Sequence, residues 1–173
     1  MQKLGVFLLF FSCLTHARSS VDVALHALQS YAHTRLASKI AIAKSSMAYA
    51  ISVPRSINIP HIFCGKQGKE ALVGLHSHLI VPERINAIIK APSYNKSWQA
   101  EWYYNNQCKR STFFPVNFSA HEVIDQIIHV LDHVTEIVSL QDGWRLVGVM
   151  ANGEQAVIVI HQQQIKTAYP IVV

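Results

Sequence analysis

The sequence predicts an α+β fold, with a helical N-terminal part and a β-rich remainder. Three observations lead there. Residues 21–51 contain neither Gly nor Pro and are rich in Ala, Leu, Ile, Lys and Ser. From Pro60 onward, short segments of β-branched and aromatic residues alternate with turn signals. One strongly capped helix, opening at Ser119, interrupts that β-rich text.

Before these elements, residues 1–17 read as a secretory leader. Lys3 lies in a short polar start, an apolar run follows from Leu4 to Leu14, and Thr15 and Ala17 mark cleavage after Ala17. The run is too short to span a bilayer, which needs about 20 apolar residues. The expected destination is secreted or periplasmic, with no stable membrane association after processing. Residues 18–56 are then read as a helical extension, one long helix or two short ones between Val21 and about Ile51, in which Val23, Leu25, Leu28, Tyr31, Leu36, Ile40 and Ile42 recur at helical spacings. Pro54 and Pro60 break the pattern, and the main domain is read over residues 57–173.

In the main domain, Ile85–Ile89 and Trp98–Tyr104 read as strands. Lys109–Phe114 pairs with the second of them across Asn105-Asn106. Ser119 with Glu122 is a capping box, and Val123, Ile124, Ile127, Ile128, Val130, Leu131 and Val134 supply an apolar face, so this helix is expected to reach about Thr135. Trp144–Met150, Ala156–Ile160 and Ile165–Val172 complete a meander, turning at Asn152-Gly153 and at the Gln162-Gln163-Gln164 triplet.

Half of the 173 residues are hydrophobic and 14% are charged, which excludes a disordered chain. The net charge of +5 favours a polyanionic partner, although Lys and Arg are spread thinly. Three cysteines exclude a disulfide-dense scaffold. Loss of the leader would remove Cys13 and leave Cys64 and Cys108, either as a disulfide in an oxidising compartment or as two buried thiols.

Among ten histidines, His61 and His76 stand out because each neighbours a Gly-containing loop. On neighbouring loops they would make an acid–base pair near neutral pH, with Lys109 or Arg110 stabilising a charged transition state. A zinc set of His61, Cys64, His76 and His78 is a further reading, against which stand the missing Cys-x-x-Cys and His-Glu-x-x-His patterns.

Four stretches in order carry a resemblance: HIFCG from His61, VGLHSHLI around His76, KRSTFFP from Lys109 to Pro115, and KTAYP from Lys166 to Pro170. Together they resemble the EndoU-type endoribonucleases, both the bacterial secreted-toxin branch and the nidoviral uridylate-specific branch. The resemblance runs from about Pro60 to Val173. It implies a domain of the barnase–EndoU–colicin–RelE type with an antiparallel sheet. It also implies cleavage of single-stranded RNA or tRNA, at uridylates, by transphosphorylation to a 2′,3′-cyclic phosphate.

Carried over, His76 is the base, His61 the acid and Lys109 the cation, with the two histidine roles exchangeable and Arg110 the competing cation. Tyr169 would stack on or orient the nucleotide, Thr167 would hydrogen-bond it, and Ser111 and Arg110 would contact RNA. No cofactor is required on this reading, stimulation by Mn2+ is left open, and an immunity or inhibitor protein is a further partner. Two other classes remain: a non-catalytic secreted binding protein on the same fold, and a zinc-dependent hydrolase using His61, His76 and His78. If the motif segments line one cleft, Cys64 and Cys108 come near enough to bridge.

Overall fold

The structure, a computed structural model, describes residues 20–38 and 54–172. The leader and the last part of the N-terminal helical segment lie outside those residues. Helix α1 occupies 20–38. Leu28, Ala32 and Leu36, spaced by single helical turns, form its buried stripe. The stripe joins the principal core with Ile59, Ile62 and Phe63 and with the apolar face of a second long helix, α3 (Ala120–Asp132). At the rim, Tyr31 donates to Asp125 at 2.9 Å and Arg35 pairs with the same carboxylate at 2.8 Å.

After α1 come strand β1 (Ser56–Ile57), the short helix α2 (Ile59–Phe63) and a small hairpin of β2 (Lys66–Gln67) and β3 (Leu72–Val73). A 3-10 turn at Pro82–Arg84 leads into β4 (Ile85–Lys90), β5 (Trp98–Tyr104) and β6 (Gln107–Phe113), a three-stranded antiparallel sheet. Asn105 and Asn106 turn between β5 and β6 with φ of 48° and 59°, the left-handed pair that a tight hairpin needs.

Helix α3 opens with both bonds of its capping box, Glu122 N–H to the Ser119 hydroxyl and Ser119 N–H to the Glu122 carboxylate. It ends at Asp132 and not near Thr135. Val134–Leu140 is instead strand β7, which the sequence reading missed. Val134, Thr135, Ile137 and Val138 are β-branched and prefer an extended chain. The strand is also caught by a tertiary contact: Val149 N–H donates to the carbonyl of His133, the helix C-cap, at 3.0 Å. Gly148 allows this approach, since a β-carbon there would meet that oxygen at 2.6 Å.

Strands β8 (Gly143–Val149), β9 (Gln155–His161) and β10 (Gln164–Pro170) follow as a meander. The larger sheet runs β1-β10-β9-β8-β7, all antiparallel except the β1–β10 edge pair. The expected turns at Asn152-Gly153 and within the Gln triplet are present, the latter with Gln162 and Gln163 at φ of 48° and 59°. One face of this sheet and the three helices enclose the principal core. A second core, built on Trp98, Trp102 and Phe113, lies against the smaller sheet. Cys64 and Ile80 touch both cores. No helix among the described residues is long and apolar enough to cross a membrane.

Candidate active site

His61 is carried by α2, a five-residue helix, and not by a loop. Asn58 caps this helix by accepting from His61 N–H at 3.3 Å, and Pro60 presets its first turn. At its far end Arg84 donates to the carbonyls of Cys64 and Gly65 while lying over the Tyr104 ring, 4.3 Å from the centroid. Carbonyls that a helix end leaves unpaired are thus satisfied by a side chain from the 3-10 turn that precedes β4.

The segment Gly74–Ser77 is strapped to this helix. Leu75 N–H donates to His61 O at 2.8 Å, and the amides of His76 and Ser77 donate to Ile62 O at 2.7 and 3.1 Å. Gly74 makes the strap possible, because its φ is +81° and a β-carbon would overlap the His61 carbonyl. The two histidine rings are thereby brought to a centroid separation of 6.3 Å.

His76 is further held against β6. Phe114 N–H donates to its carbonyl at 3.0 Å, and its Nδ1 lies 3.0 Å from the carbonyl of Thr112. A carbonyl only accepts, so Nδ1 carries the proton and Nε2 keeps a free lone pair. Tyr169 stacks on this ring, with 5.3 Å between centroids.

Strand β6 separates the two candidate cations. Lys109, Ser111 and Phe113 alternate onto its inner face, where the latter two are buried. Arg110 falls on the other face with Cys108, and both reach Glu101, at 3.7 Å each. Lys109 is the cation whose charge acts on both histidines. Ser111, expected to contact RNA, spends its hydroxyl within the fold, accepting from Trp102 Nε1 at 3.0 Å and donating to Gly74 O at 3.4 Å.

In β10 the register slips between Ile165 and Thr167. This bulge lets Ile165 and Ala168 both enter the core while Thr167 and Tyr169 both face the cleft. The Thr167 hydroxyl is buried there with no hydrogen-bond partner.

Among the described residues eleven line a cleft of about 560 Å3, and all seven predicted site residues are among them, Arg110 included although it lies on the outer face of β6. Val73, Gly74, Gln99 and Thr112 complete the lining and were not foreseen. Gly74 had a signal in its place before Leu75-His76; the others are ordinary strand residues by pattern. Among the described residues no carboxylate lines the cleft.

Burial, with the positive charges of Lys109 and Lys66, pushes the His61 ring down to about 4. Burial pushes His76 down to about 3, with His61 and Lys109 adding and the Thr112 bond opposing. Burial also lowers Lys109. Both rings are therefore neutral at pH 7, beside a cationic Lys109. Such a site favours an anion, whose charge would raise the proton affinity of both rings.

The zinc set is not assembled. His78 packs edge-on against Trp98, 5.7 Å between centroids, and lies outside the cleft lining. Among the described residues no group of three or more His, Cys, Asp or Glu is placed to hold a metal ion. Cys64 and Cys108 are free thiols, the first half-buried and the second exposed on the outer face of β6, so the bridge between the two segments is absent. Alternation explains this: the strand that turns Lys109 inward turns Cys108 outward.

The profile of the family described as bacterial EndoU nuclease matches residues 56–172. No protein of curated function matches the chain. Among solved structures, XendoU, titled as a splicing-independent snoRNA-processing endoribonuclease, is similar at 21% identity and a TM-score of 0.41, over 74% of this chain and 51% of that one. The chain thus spans about half the length of that structure.

Proposed function

Because the chain belongs to the bacterial EndoU nuclease family, we propose that it is an endoribonuclease that cuts single-stranded RNA after uridylates. One observation carries the reading: two neutral histidines, their ring centroids 6.3 Å apart, share a cleft with Lys109 that no carboxylate of the described residues lines. The Nε2 lone pair of His76 takes the proton of the ribose 2′-OH. The 2′-oxygen attacks the adjacent phosphorus, the P–O5′ bond breaks, and a 2′,3′-cyclic phosphate remains. His61 donates a proton to the departing 5′-oxygen. It acquires that proton as the phosphate binds, since the substrate charge offsets those of Lys109 and Lys66. Lys109 stabilises the charge of the phosphorane. Tyr169 orients the nucleotide, and the unpartnered Thr167 hydroxyl offers the base a hydrogen bond.

The proposal extends to the surroundings of the enzyme. The chain is a secreted or periplasmic toxin processed after Ala17, it needs no metal for chemistry, and an inhibitor protein guards the producing cell. The deciding experiment is incubation of purified protein with labelled single-stranded RNA and tRNA in EDTA, with analysis of the new ends. Cyclic-phosphate ends are expected from wild type, with a loss of about 10²–10⁴-fold in His76→Ala. Binding without cleavage would return the non-catalytic reading, and activity restored only by stoichiometric metal would overturn the metal-free chemistry.

A further inference from the structure

We propose that Lys66 binds the phosphate on the 3′ side of the leaving nucleoside, so that the enzyme engages one nucleotide beyond the cut. This rests on the reaction proposed above, with His61 as the acid. Lys66 stands opposite Val73 in the β2–β3 register. Cross-strand partners carry their side chains on one face, and Val73 lines the cleft, so Lys66 rises from the cleft rim. Its neighbour Gln67 turns the other way and donates to Gln107 at 2.9 Å, tying the hairpin to the start of β6. Lys66 is exposed, and no carboxylate pairs with it among the described residues.

The side of the cleft follows from the chain path, because α2, which carries His61, runs through Cys64 and Gly65 directly into Lys66, and the electrostatics agree. The charge of Lys109 acts on both histidines, whereas that of Lys66 acts on His61. Lys66 therefore belongs to the acid's side. His61 protonates the 5′-oxygen of the leaving nucleoside, and the next phosphate on that fragment hangs from its 3′-oxygen. A phosphate on the 5′ side of the cut nucleotide lies instead beyond the base, His76. An unpaired, solvated ammonium at the rim suits a phosphodiester that stays partly in water.

The test compares kcat/KM for UpA, for UpApA, which adds the 3′ phosphate, and for ApUpA, which adds a phosphate on the 5′ side. Wild type should prefer UpApA over UpA by about 2–5-fold, the size of one exposed charge contact. Lys66→Ala should abolish that preference and leave the ratio of ApUpA to UpA as in wild type, while Lys66→Arg restores it. Lys69→Ala, an exposed cation on the same hairpin turn, should behave as wild type. Binding of a 2′-deoxy analogue of UpApA should lose about 0.7 from its log–log salt slope in Lys66→Ala. A preference for UpApA that survives Lys66→Ala, or an equal effect on ApUpA, overturns the assignment. If wild type cleaves none of the three, the nuclease reading fails, and an unchanged salt slope in Lys66→Ala would then overturn the phosphate site as well.

Discussion

At Gly74 any side chain would run into the carbonyl of His61, and the backbone there sits at a φ of +81°. Gly74→Ala should therefore cost about 1–3 kcal/mol of stability and pull the His76 strap away from α2. The check is urea unfolding beside RNA cleavage: activity should fall under conditions where the variant remains folded. The histidines themselves make a second prediction. Both have lowered proton affinity in the fold, to about 4 for His61 and about 3 for His76. Below about pH 6.5 the unfolded chain takes up protons that the folded chain refuses. Stability should hold above that pH and decline as pH falls toward 4. Urea midpoints measured at pH 7.5 and pH 5 check the sign, and His76→Asn should flatten the dependence.

Among the elements, α3 depends on its first turn. Ser119 and Glu122 satisfy each other's amides, so Ser119→Ala should cost about 1 kcal/mol. Since α3 packs away from the cleft lining, thermal denaturation should register the change while the pH profile of cleavage stays as in wild type. Strand β6 is the element that parts the two adjacent cations. Its inner face presents Lys109 beside the histidines, and its outer face pairs Arg110 with Glu101. Lys109→Ala should remove a positive charge that depresses both rings, raising their proton affinity. The acid limb of the pH–rate profile should move up in pH, and kcat should fall because the phosphorane loses its cation. An unshifted limb would show that Lys109 does not face the histidines.

Across the whole molecule, α1 is part of the same core as the nuclease elements. Leu36 is fully buried among residues from α2, α3 and the larger sheet. Leu36→Ala should cost about 2–5 kcal/mol, as a cavity in a shared core does. Circular dichroism and cleavage should be lost together on heating, because the cleft lies where that core meets the one under the smaller sheet. Separate transitions for the two signals would contradict a single cooperative unit.

Several features were legible without coordinates because their causes are local. The capping box needs residues three apart, the Asn105-Asn106 and Gln162-Gln163 hairpins need only their own turns, and the four motif stretches sit in linear order. The seven site residues followed from those stretches, and all line one cleft. Other features depended on partners distant in the chain. Val134–Leu140 continues the apolar pattern of α3, and only pairing with β8 and the bond from Val149 to His133 turned it into a strand. His61 sits in a segment too short to announce a helix. Thr167 and Tyr169 share the cleft with Ile165 and Ala168 in the core because a bulge shifts the register. Lys109 and Arg110 are adjacent cations in the sequence, and the same is true of the choice between a bridged and a free Cys108. Which of the two shares a strand face with Ser111 is set by the side of β6 that packs on Trp102 and Gly74, and that side is decided only when the sheets are assembled.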